Sequence, residues 1–379
     1  MNDNKTNFFD DIERLRGFAC ILVLIQHFVW ICPLRFMANV LQTDLLMWGE
    51  GGMRLFFAIS GFVVTLSLMK KLDTVSGEQF IDRLRSARRI LFSFYKNRFF
   101  RIFPVAFFML LVLAIFLFST EGDSKFLKGL IRCPIDVFCC TYNYSMGAFA
   151  GLERNHFCAT GPLWTLAVEG QFYLLWPLIL LMCKDHNARV ITSLVMGCLF
   201  LFGIQPMSSF LWELDYYSTC NNLAELFLGS FFALIYEDGM GKNANKNVTM
   251  VFTALLALAL WCYPSVIDRE VYYSKMALTI LSVTLVVSCT YVRGGFLNIP
   301  VLRNVFQYLG SRSYSFYVIQ LLIASITVWY TNSIYFPKEG LSEYDFFMYQ
   351  LIIAVASLFV LTEVVYRLLE KPMRNLGKK

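Results

Sequence analysis

Ten long apolar segments constrain the fold more than any other feature of this sequence. A helix needs roughly 17 to 25 mainly apolar residues to cross the hydrocarbon core of a bilayer. Segments of about that length lie at 17–34, 50–69, 102–119, 162–183, 190–207, 221–236, 248–264, 272–292, 308–330 and 346–366. With 57% apolar and 16% charged residues, the chain is also far from the composition of soluble domains. The sequence therefore predicts an all-α, polytopic integral membrane protein with about ten transmembrane helices in a single domain, 1–379.

The distribution of basic residues predicts the orientation of these helices. Most of the 33 Lys and Arg residues fall on one set of alternate connections, and the richest connection runs from Lys70 to Arg101. Because basic residues are retained on the cytoplasmic side, we expect both termini in the cytoplasm. We also expect the first helix to be retained, since no removable signal peptide is recognisable before it. The net charge of +6 follows from this topology and does not indicate nucleic-acid binding.

The eleven cysteines do not have the paired spacing of metal sites, so we predict no bound metal. Cys133, Cys139, Cys140 and Cys158 fall in the segment 120–161, which the predicted topology places outside the cytoplasm. A disulfide is chemically permitted in an oxidising compartment, but its connectivity does not follow from the sequence.

The first apolar segment, "IERLRGFACILVLIQHF", carries two ionisable residues, Arg16 and His27. Eleven residues make almost three helical turns, so both side chains share one face, separated along the axis by roughly 16 Å. An intramembrane ionisable residue is by default a functional-site hypothesis. A neutral imidazole can take a proton from a hydroxyl group, which makes His27 a candidate general base. The alternative is a packed histidine that bonds a backbone carbonyl of a neighbouring helix.

The fourth apolar segment, "GPLWTLAVEGQFYLLWPLIL", contains a second candidate catalytic residue, Glu169. An unpaired carboxylate in hydrocarbon is costly, so Glu169 should be protonated or matched to a cation or an imidazole. It could orient His27, or it could join two helices structurally. Trp164 and Tyr173 in the same segment are candidate substrate contacts, although such aromatic residues are more often packing or interfacial groups.

Three further arginines and a serine complete the set of candidate binding residues. Arg54 and Ser60 lie in "GGMRLFFAISGF", where the small residues favour close helix packing. Arg54 could reach the interface, pair with a carboxylate or bind an anionic ligand. Arg98 and Arg101 in "RFFRIFP" are one helical turn apart and would form a fork for phosphate. Taken alone, the two arginines are better explained by the ordinary enrichment of basic residues at cytoplasmic helix ends. Further ionisable residues recur near the ends of later segments: Glu225, Arg312, Glu363 and Glu370.

In this order, these motifs resemble the acyltransferase 3 family of membrane proteins that O-acylate cell-surface glycans. The resemblance covers nearly the whole chain and rests on seven stretches: "LRGFACILVLIQH", "LFFAISGF", "RFFRIFP", "LWTLAVEGQFYLLWP", "AELFLGSFFA", "LGSRSYSFYVIQ" and "LEKP". It implies a ten-helix domain in the plasma membrane, which is the inner membrane of a bacterium. The implied donor is acyl-CoA, commonly acetyl-CoA, and the implied acceptor is a sugar hydroxyl of a glycan or lipid-linked sugar.

By the same resemblance, Arg16 and His27 would be essential, and Arg98 with Arg101 would contact the donor. The chain departs from the family pattern at Arg54, where members often have Asp, and at Gln320, where they often have His. It also has Asn221 and Asn222 where members often carry Arg. These departures leave the acceptor open. The rival interpretations are a transporter or flippase of a lipid-linked glycan or small anion, and a non-catalytic scaffold or sensor.

Overall fold

The computed structural model describes residues 3–28, 48–120, 133–149, 159–202, 217–236, 245–263, 272–292, 294–335 and 343–378, and these ranges are mainly helical. The helices are α1 (Asp3–Phe28), α2 (Trp48–Leu72), α3 (Phe80–Thr120), α4 (Tyr142–Phe149), α5 (Leu163–Met182), α6 (His186–Phe202), α7 (Ala224–Ile235), α8 (Lys246–Cys262), α9 (Tyr272–Val292), α10 (Pro300–Ser311), α11 (Ser313–Tyr335), α12 (Glu343–Val365) and α13 (Lys371–Lys378). A 3-10 helix, Cys220–Asn222, precedes α7, and a π-helix, Tyr366–Glu370, joins α12 to α13. No strand occurs in these ranges, so the all-α prediction is confirmed there.

Within the described ranges, six helices are long and apolar enough to cross a membrane: Gly49–Leu72, Phe80–Thr120, Leu163–Met182, Lys275–Val292, Ser313–Thr331 and Met348–Lys378. Three more predicted spans correspond to shorter apolar helices, His186–Phe202, Ala224–Ile235 and Asn247–Cys262. The chain is therefore a multi-pass membrane protein. The count of about ten spans and the cytoplasmic termini are not confirmed.

The first predicted span, 17–34, is described only in part. Helix α1 ends at Phe28, and residues 29–34 lie outside the described residues. Four charged residues between Asp11 and Arg16 also interrupt the apolar run of α1, which keeps it out of the six spanning helices. Its position in the membrane stays a prediction.

Helix α2 lies at the centre of the described structure and packs against α1, α7 and α9. Its crossing with α7 is very close, since a Cβ on Gly61 would collide with the carbonyl of Leu226, and one on Gly229 with that of Ala58. Small residues permit such close backbone approach between membrane helices. This contact fixes α2, which carries Arg54 and Ser60, relative to α7.

Buried polar contacts and a close crossing fix the rotation of α1. The carboxylate of Asp11 accepts a hydrogen bond from the backbone N–H of Phe296 at 3.1 Å, and the guanidinium of Arg14 donates to the Phe296 carbonyl at 2.6 Å. One turn later, Gly17 lies directly against the backbone of α10 at Phe306. These contacts fix the rotation of α1 relative to α10, and with it the position of Arg16.

Helix α3 is the longest element, with 41 residues, and contains Pro104. At 1.5 Å per residue its length is about 60 Å. Its amino-terminal part is fastened to the end of α5, because Arg83 donates hydrogen bonds to the carbonyls of Cys183 at 2.9 Å and Met182 at 3.2 Å. Its later part packs against α11, whose Trp329 contacts Phe116 with ring centroids 5.3 Å apart.

Three of the four cysteines predicted to lie outside the cytoplasm are described. No disulfide joins any two of Cys133, Cys139 and Cys140. Cys158 lies outside the described residues.

Candidate active site

A cavity lies between α1, α2, α3, α5 and α11. It contains about 590 Å³ of space between the atoms, a volume that includes the solvent in its open mouth. Five of the residues predicted from the sequence line it: Arg16, Ser60, Arg101, Glu169 and Tyr173. Residues from four separate helices thus converge on one concave site.

Glu169 is held in place by two hydrogen bonds from side chains. The hydroxyl of Ser60 donates to Oε1 at 2.7 Å, and the phenol of Tyr173 donates to Oε2 at 2.9 Å. Tyr173 lies one turn after Glu169 on α5, whereas Ser60 comes from α2. Each carboxylate oxygen therefore has one donor, and this trio joins α2 to α5 at the cavity wall.

Three arginines gather at or beside the cavity. Arg16 and Arg101 line it, and the guanidinium of Arg98 lies over the ring of Tyr173, 4.9 Å from its centroid. The three are close enough to repel one another electrostatically, and two acids, Glu13 near Arg16 and Glu169 near Arg98, offset part of this charge. Within the described ranges none of them forms an ion pair with an acid. With Glu169 as the acid of this wall, positive charge is in excess, which favours an anionic ligand.

His27 lies outside the residues that line the cavity. It is partly buried on α1, and its buried Nδ1 has no hydrogen-bond partner among the described residues. Its polar neighbour is the side chain of Gln320 on α11. The sequence left open whether Glu169 orients His27; the carboxylate oxygens of Glu169 instead meet Ser60 and Tyr173. The structure does not bring Glu169 and His27 together.

Arg54 also lies outside the cavity wall and is enclosed by acids. Its guanidinium donates to Glu50 at 2.7 Å and forms a close ion pair with Glu225 of α7. It also donates to the hydroxyl of Thr279 on α9 at 3.3 Å. Of the possibilities open from the sequence, pairing with carboxylates is the one observed, and the pair joins α2, α7 and α9.

Trp164 is a packing residue of the wall behind the cavity. It is 7% exposed, and its ring centroid lies 5.2 Å from that of Tyr217 and 6.4 Å from that of Phe57. It does not line the cavity. Of the two aromatic candidates, Tyr173 reaches the site and Trp164 supports it from behind.

The cavity residues that the sequence analysis missed include Thr165, Tyr314 and Tyr317, which bring hydroxyl groups to the wall. The hydroxyls of Thr165 and Tyr317 lie 2.9 Å apart, and the phenol of Tyr314 donates to the carbonyl of Ile102. A usable signal was present, because Tyr314 and Tyr317 are three residues apart in "SRSYSFYVIQ" and share one helix face. They place α11 in the site beside α1.

The other ionisable residues near segment ends are engaged in local pairs. Arg312 donates to Glu363 at 2.6 Å and lies over the ring of Tyr308, 4.1 Å from its centroid. The carboxylate of Glu370 accepts from the backbone N–H of Ser315 at 3.2 Å and from its hydroxyl at 2.5 Å. These contacts fasten the carboxyl-terminal helices to α10 and α11, so we assign them a structural role.

Comparison with known proteins gives relatives along almost the entire chain. The chain is 23% identical over 393 residues to the O-acetyltransferase OatA of Staphylococcus aureus (strain NCTC 8325 / PS 47), a match that covers 98% of this chain and 58% of the relative. It is also 23% identical over 403 residues to the putative O-acetyltransferase SACOL0978 of Staphylococcus aureus (strain COL), covering 99% of this chain and 59% of the relative. The chain thus spans less than two thirds of the length of these relatives. No solved structure matches it.

The match to a family model is nearly as extensive. The model described as an acyltransferase domain, Acyl_transf_3, matches residues 9–363. That range includes every residue that lines the cavity and every predicted site residue. The chain belongs to the acyltransferase 3 family.

Proposed function

We propose that this protein is a membrane O-acetyltransferase that transfers an acetyl group from acetyl-CoA to a sugar hydroxyl of a surface glycan, such as O-antigen, capsule or exopolysaccharide. Family membership supports acyl transfer, and the names of the relatives support an acetyl group moved to oxygen. The observation that carries the proposal is the group of three arginines at and beside one cavity between helices, none of which forms an ion pair within the described ranges.

The arginines supply the donor-binding half of the site. Coenzyme A carries a diphosphate and a ribose phosphate, and guanidinium groups bind such oxygens with two parallel hydrogen bonds. Arg98 and Arg101 lie one turn apart on α3, and Arg16 approaches from α1. Arg98 is already held over Tyr173, so its side chain needs little further ordering when the donor binds.

Glu169 acts on the donor side of the site. Its carboxylate offsets part of the arginine charge, which lowers the cost of holding three cations together before the donor arrives. Through its hydrogen bond it also holds Tyr173, whose ring lies beneath Arg98. Ser60 supports the carboxylate from α2. Loss of this trio would disorder the arginine fork.

His27 is the proposed general base for the acceptor. It shares the face of α1 that bears Arg16, roughly 16 Å further along the axis, a separation that an extended pantetheine arm can bridge. The imidazole takes the proton of the sugar hydroxyl as that oxygen attacks the thioester carbonyl. The tetrahedral intermediate then expels the CoA thiolate, which takes the proton from the imidazolium, and the sugar leaves as its O-acetyl ester.

The proposed topology separates the two substrates. Acetyl-CoA approaches from the cytoplasm, and the glycan or lipid-linked sugar is presented at or beyond the outer face of the plasma membrane. In a bacterium with two membranes this is the inner membrane. Membrane lipid covers the remaining apolar surface of the helices.

The test is an assay with labelled acetyl-CoA in membranes that contain the protein and the native glycan. Wild-type protein should transfer label to glycan, and His27→Ala should abolish transfer at equal protein level. The matched control is His186→Ala, which removes an exposed histidine at the start of α6 and should leave transfer unchanged. A transporter would transfer no label, and an active His27→Ala variant would contradict the assignment of the base.

Mass spectrometry of the surface glycans identifies the product independently. Cells with the protein should carry glycans heavier by one acetyl group per modified sugar than cells without it. Equal glycan masses in the two strains would contradict the acceptor class. The position of the added mass would name the sugar hydroxyl.

A further inference from the structure

Two polar side chains lie near each other between α1 and α11. Gln320 is 1% exposed, and neither atom of its carboxamide has a hydrogen-bond partner among the described residues. The Nδ1 of His27 is also buried and has no partner there. The Gln320 side chain is the polar neighbour of this imidazole. The cluster around them is apolar and includes Phe28, Phe316, Ile319 and Ile323.

The packing of the two helices explains why these side chains face each other. The thiol of Cys20 on α1 points to the carbonyl of Ser313 on α11, with Sγ and oxygen 3.9 Å apart. His27 and Gln320 each come seven residues later on their own helix. Seven residues make almost two full turns, so the same two faces meet again about 10 Å further along. The contact is thus set by helix register.

The chemistry of the two groups allows two pairings. A neutral imidazole has one N–H donor and one lone-pair acceptor, and a carboxamide has a carbonyl that accepts and an NH2 group that donates. A buried polar group without a partner destabilises the fold, so native interiors satisfy nearly all of them. A hydrogen bond from Nδ1–H to Oε1 of Gln320 satisfies two of the three unpaired atoms. It also leaves the lone pair on Nε2.

We propose that Gln320 is a positioning residue that holds His27 in the Nδ1-protonated tautomer. The consequence for acyl transfer rests on the proposed function, because only then does the lone pair of Nε2 take the proton of the acceptor hydroxyl. The hydrogen bond and the tautomer do not depend on any substrate. One measurement therefore tests the tautomer of His27, and a separate one tests its consequence for acyl transfer.

The tautomer is measured by nitrogen NMR of the imidazole ring. The chain has 3 histidines, so a His156→Gln, His186→Gln background with ring-labelled histidine and a tag free of histidine leaves His27 as the reporter. At alkaline pH, the background protein should show one tautomer with Nδ1 protonated. Gln320→Met should shift the ring toward the Nε2-protonated form that histidine prefers in water. An unchanged ring spectrum in Gln320→Met would overturn the proposal.

Two variants separate this effect from a general packing defect. Gln26→Met is the matched control, because Gln26 also has a buried, unpaired Oε1 but packs against Gly49 of α2. It should leave the His27 tautomer unchanged. Gln320→Glu retains a carbonyl-type acceptor and should retain the Nδ1-protonated form. If Gln320→Met does not yield folded protein, Gln320→Asn, whose shorter side chain withdraws the carbonyl, gives the same readout.

Acetyl transfer tests the catalytic half. Gln320→Met should lower kcat by at least about tenfold, while the KM for acetyl-CoA stays within about twofold of wild type, since the donor arginines are untouched. A raised KM with unchanged kcat would overturn the positioning role. If wild-type protein transfers no acetyl group, the proposed function fails, yet the NMR result still decides whether Gln320 sets the tautomer.

Discussion

Two regions of this protein place arginine among apolar helices, and they do so in opposite ways. Arg54 is 3% exposed and is surrounded by Glu50, Glu225 and the hydroxyl of Thr279. The cavity group of Arg16, Arg98 and Arg101 has Glu169 in its wall, and that carboxylate accepts its hydrogen bonds from Ser60 and Tyr173. Carboxylates outnumber arginines around Arg54, whereas arginines outnumber carboxylates at the cavity.

This difference separates a structural charge from a binding charge. A buried guanidinium that is fully paired has no bonding capacity left for a ligand, and it serves to join helices. Guanidinium groups without acidic partners, set around a cavity, retain their donors for an incoming anion. The same residue type in the same kind of helix therefore has two roles, and the partners distinguish them.

We expect the largest effect, a loss of stability, from removing the paired arginine, Arg54. Arg54→Met leaves two carboxylates buried without their cation, so the free energy of unfolding should fall by about 3 to 5 kcal/mol. Thermal unfolding of the purified protein in detergent measures the loss. A variant that also carries Glu50→Gln and Glu225→Gln should recover much of it. Normal thermal stability with lost acetyl transfer in Arg54→Met would place Arg54 in the binding region instead.

The second effect belongs to the cavity. Arg101→Gln should lower kcat/KM for acetyl-CoA by about 10- to 100-fold, mainly through KM, because hydrogen bonds to charged groups contribute about 1.5 to 3 kcal/mol. Thermal stability should not fall, since no ion pair is lost and repulsion is relieved. Arg101→Lys keeps the charge but not the planar pair of donors, so its kcat/KM should lie between those of wild type and Arg101→Gln. A large loss of stability in Arg101→Gln would show that Arg101, like Arg54, has a structural role.

A smaller effect is expected at Tyr173. Tyr173→Phe removes the hydrogen bond to Glu169 but keeps the ring beneath Arg98, so acetyl transfer should fall by about fivefold, corresponding to about 1 kcal/mol. Tyr173→Leu also removes the ring and should cost more, with a higher KM for acetyl-CoA. Steady-state kinetics on the two variants compares them. Equal losses would show that the ring contributes nothing to holding Arg98.

The smallest effect is expected at an exposed arginine on the same helix as Arg101. Arg85 has a side chain that is 78% exposed and lies 3.9 Å from Asp82. Arg85→Gln should change the free energy of unfolding by less than about 0.5 kcal/mol and leave the KM for acetyl-CoA unchanged. A raised KM would mean that the donor site extends along α3 beyond the cavity.

The sequence predicted individual site residues better than their partners. Arg16, Arg101 and Glu169 each stood out as ionisable groups in apolar segments, and all three line the cavity. That Ser60 and Tyr173 hold Glu169 depends on the packing of α2 against α5, which no local pattern encodes. Glu225 is 171 residues from Arg54, and its role became visible only when the crossing of α2 and α7 was described.

Helix lengths show a similar limit. Six of the predicted spans correspond to described helices that are long and apolar enough to cross a membrane, whereas three others correspond to shorter apolar helices. Composition measures apolar content and does not record how deeply neighbouring helices enclose a segment. Gln320 was predicted only in part. The family resemblance marked it as a departure, and helix register explains its position beside His27.

The length of α3 has a consequence for how a polar donor reaches the protein. At about 60 Å, this helix is roughly twice as long as the hydrocarbon core is thick, so one half must project into water. The basic residues of its amino-terminal part identify that half, and Arg101 stands near the junction of the two halves. A highly charged molecule could therefore bind to the water-exposed amino-terminal half of α3 and reach the cavity without entering the hydrocarbon core.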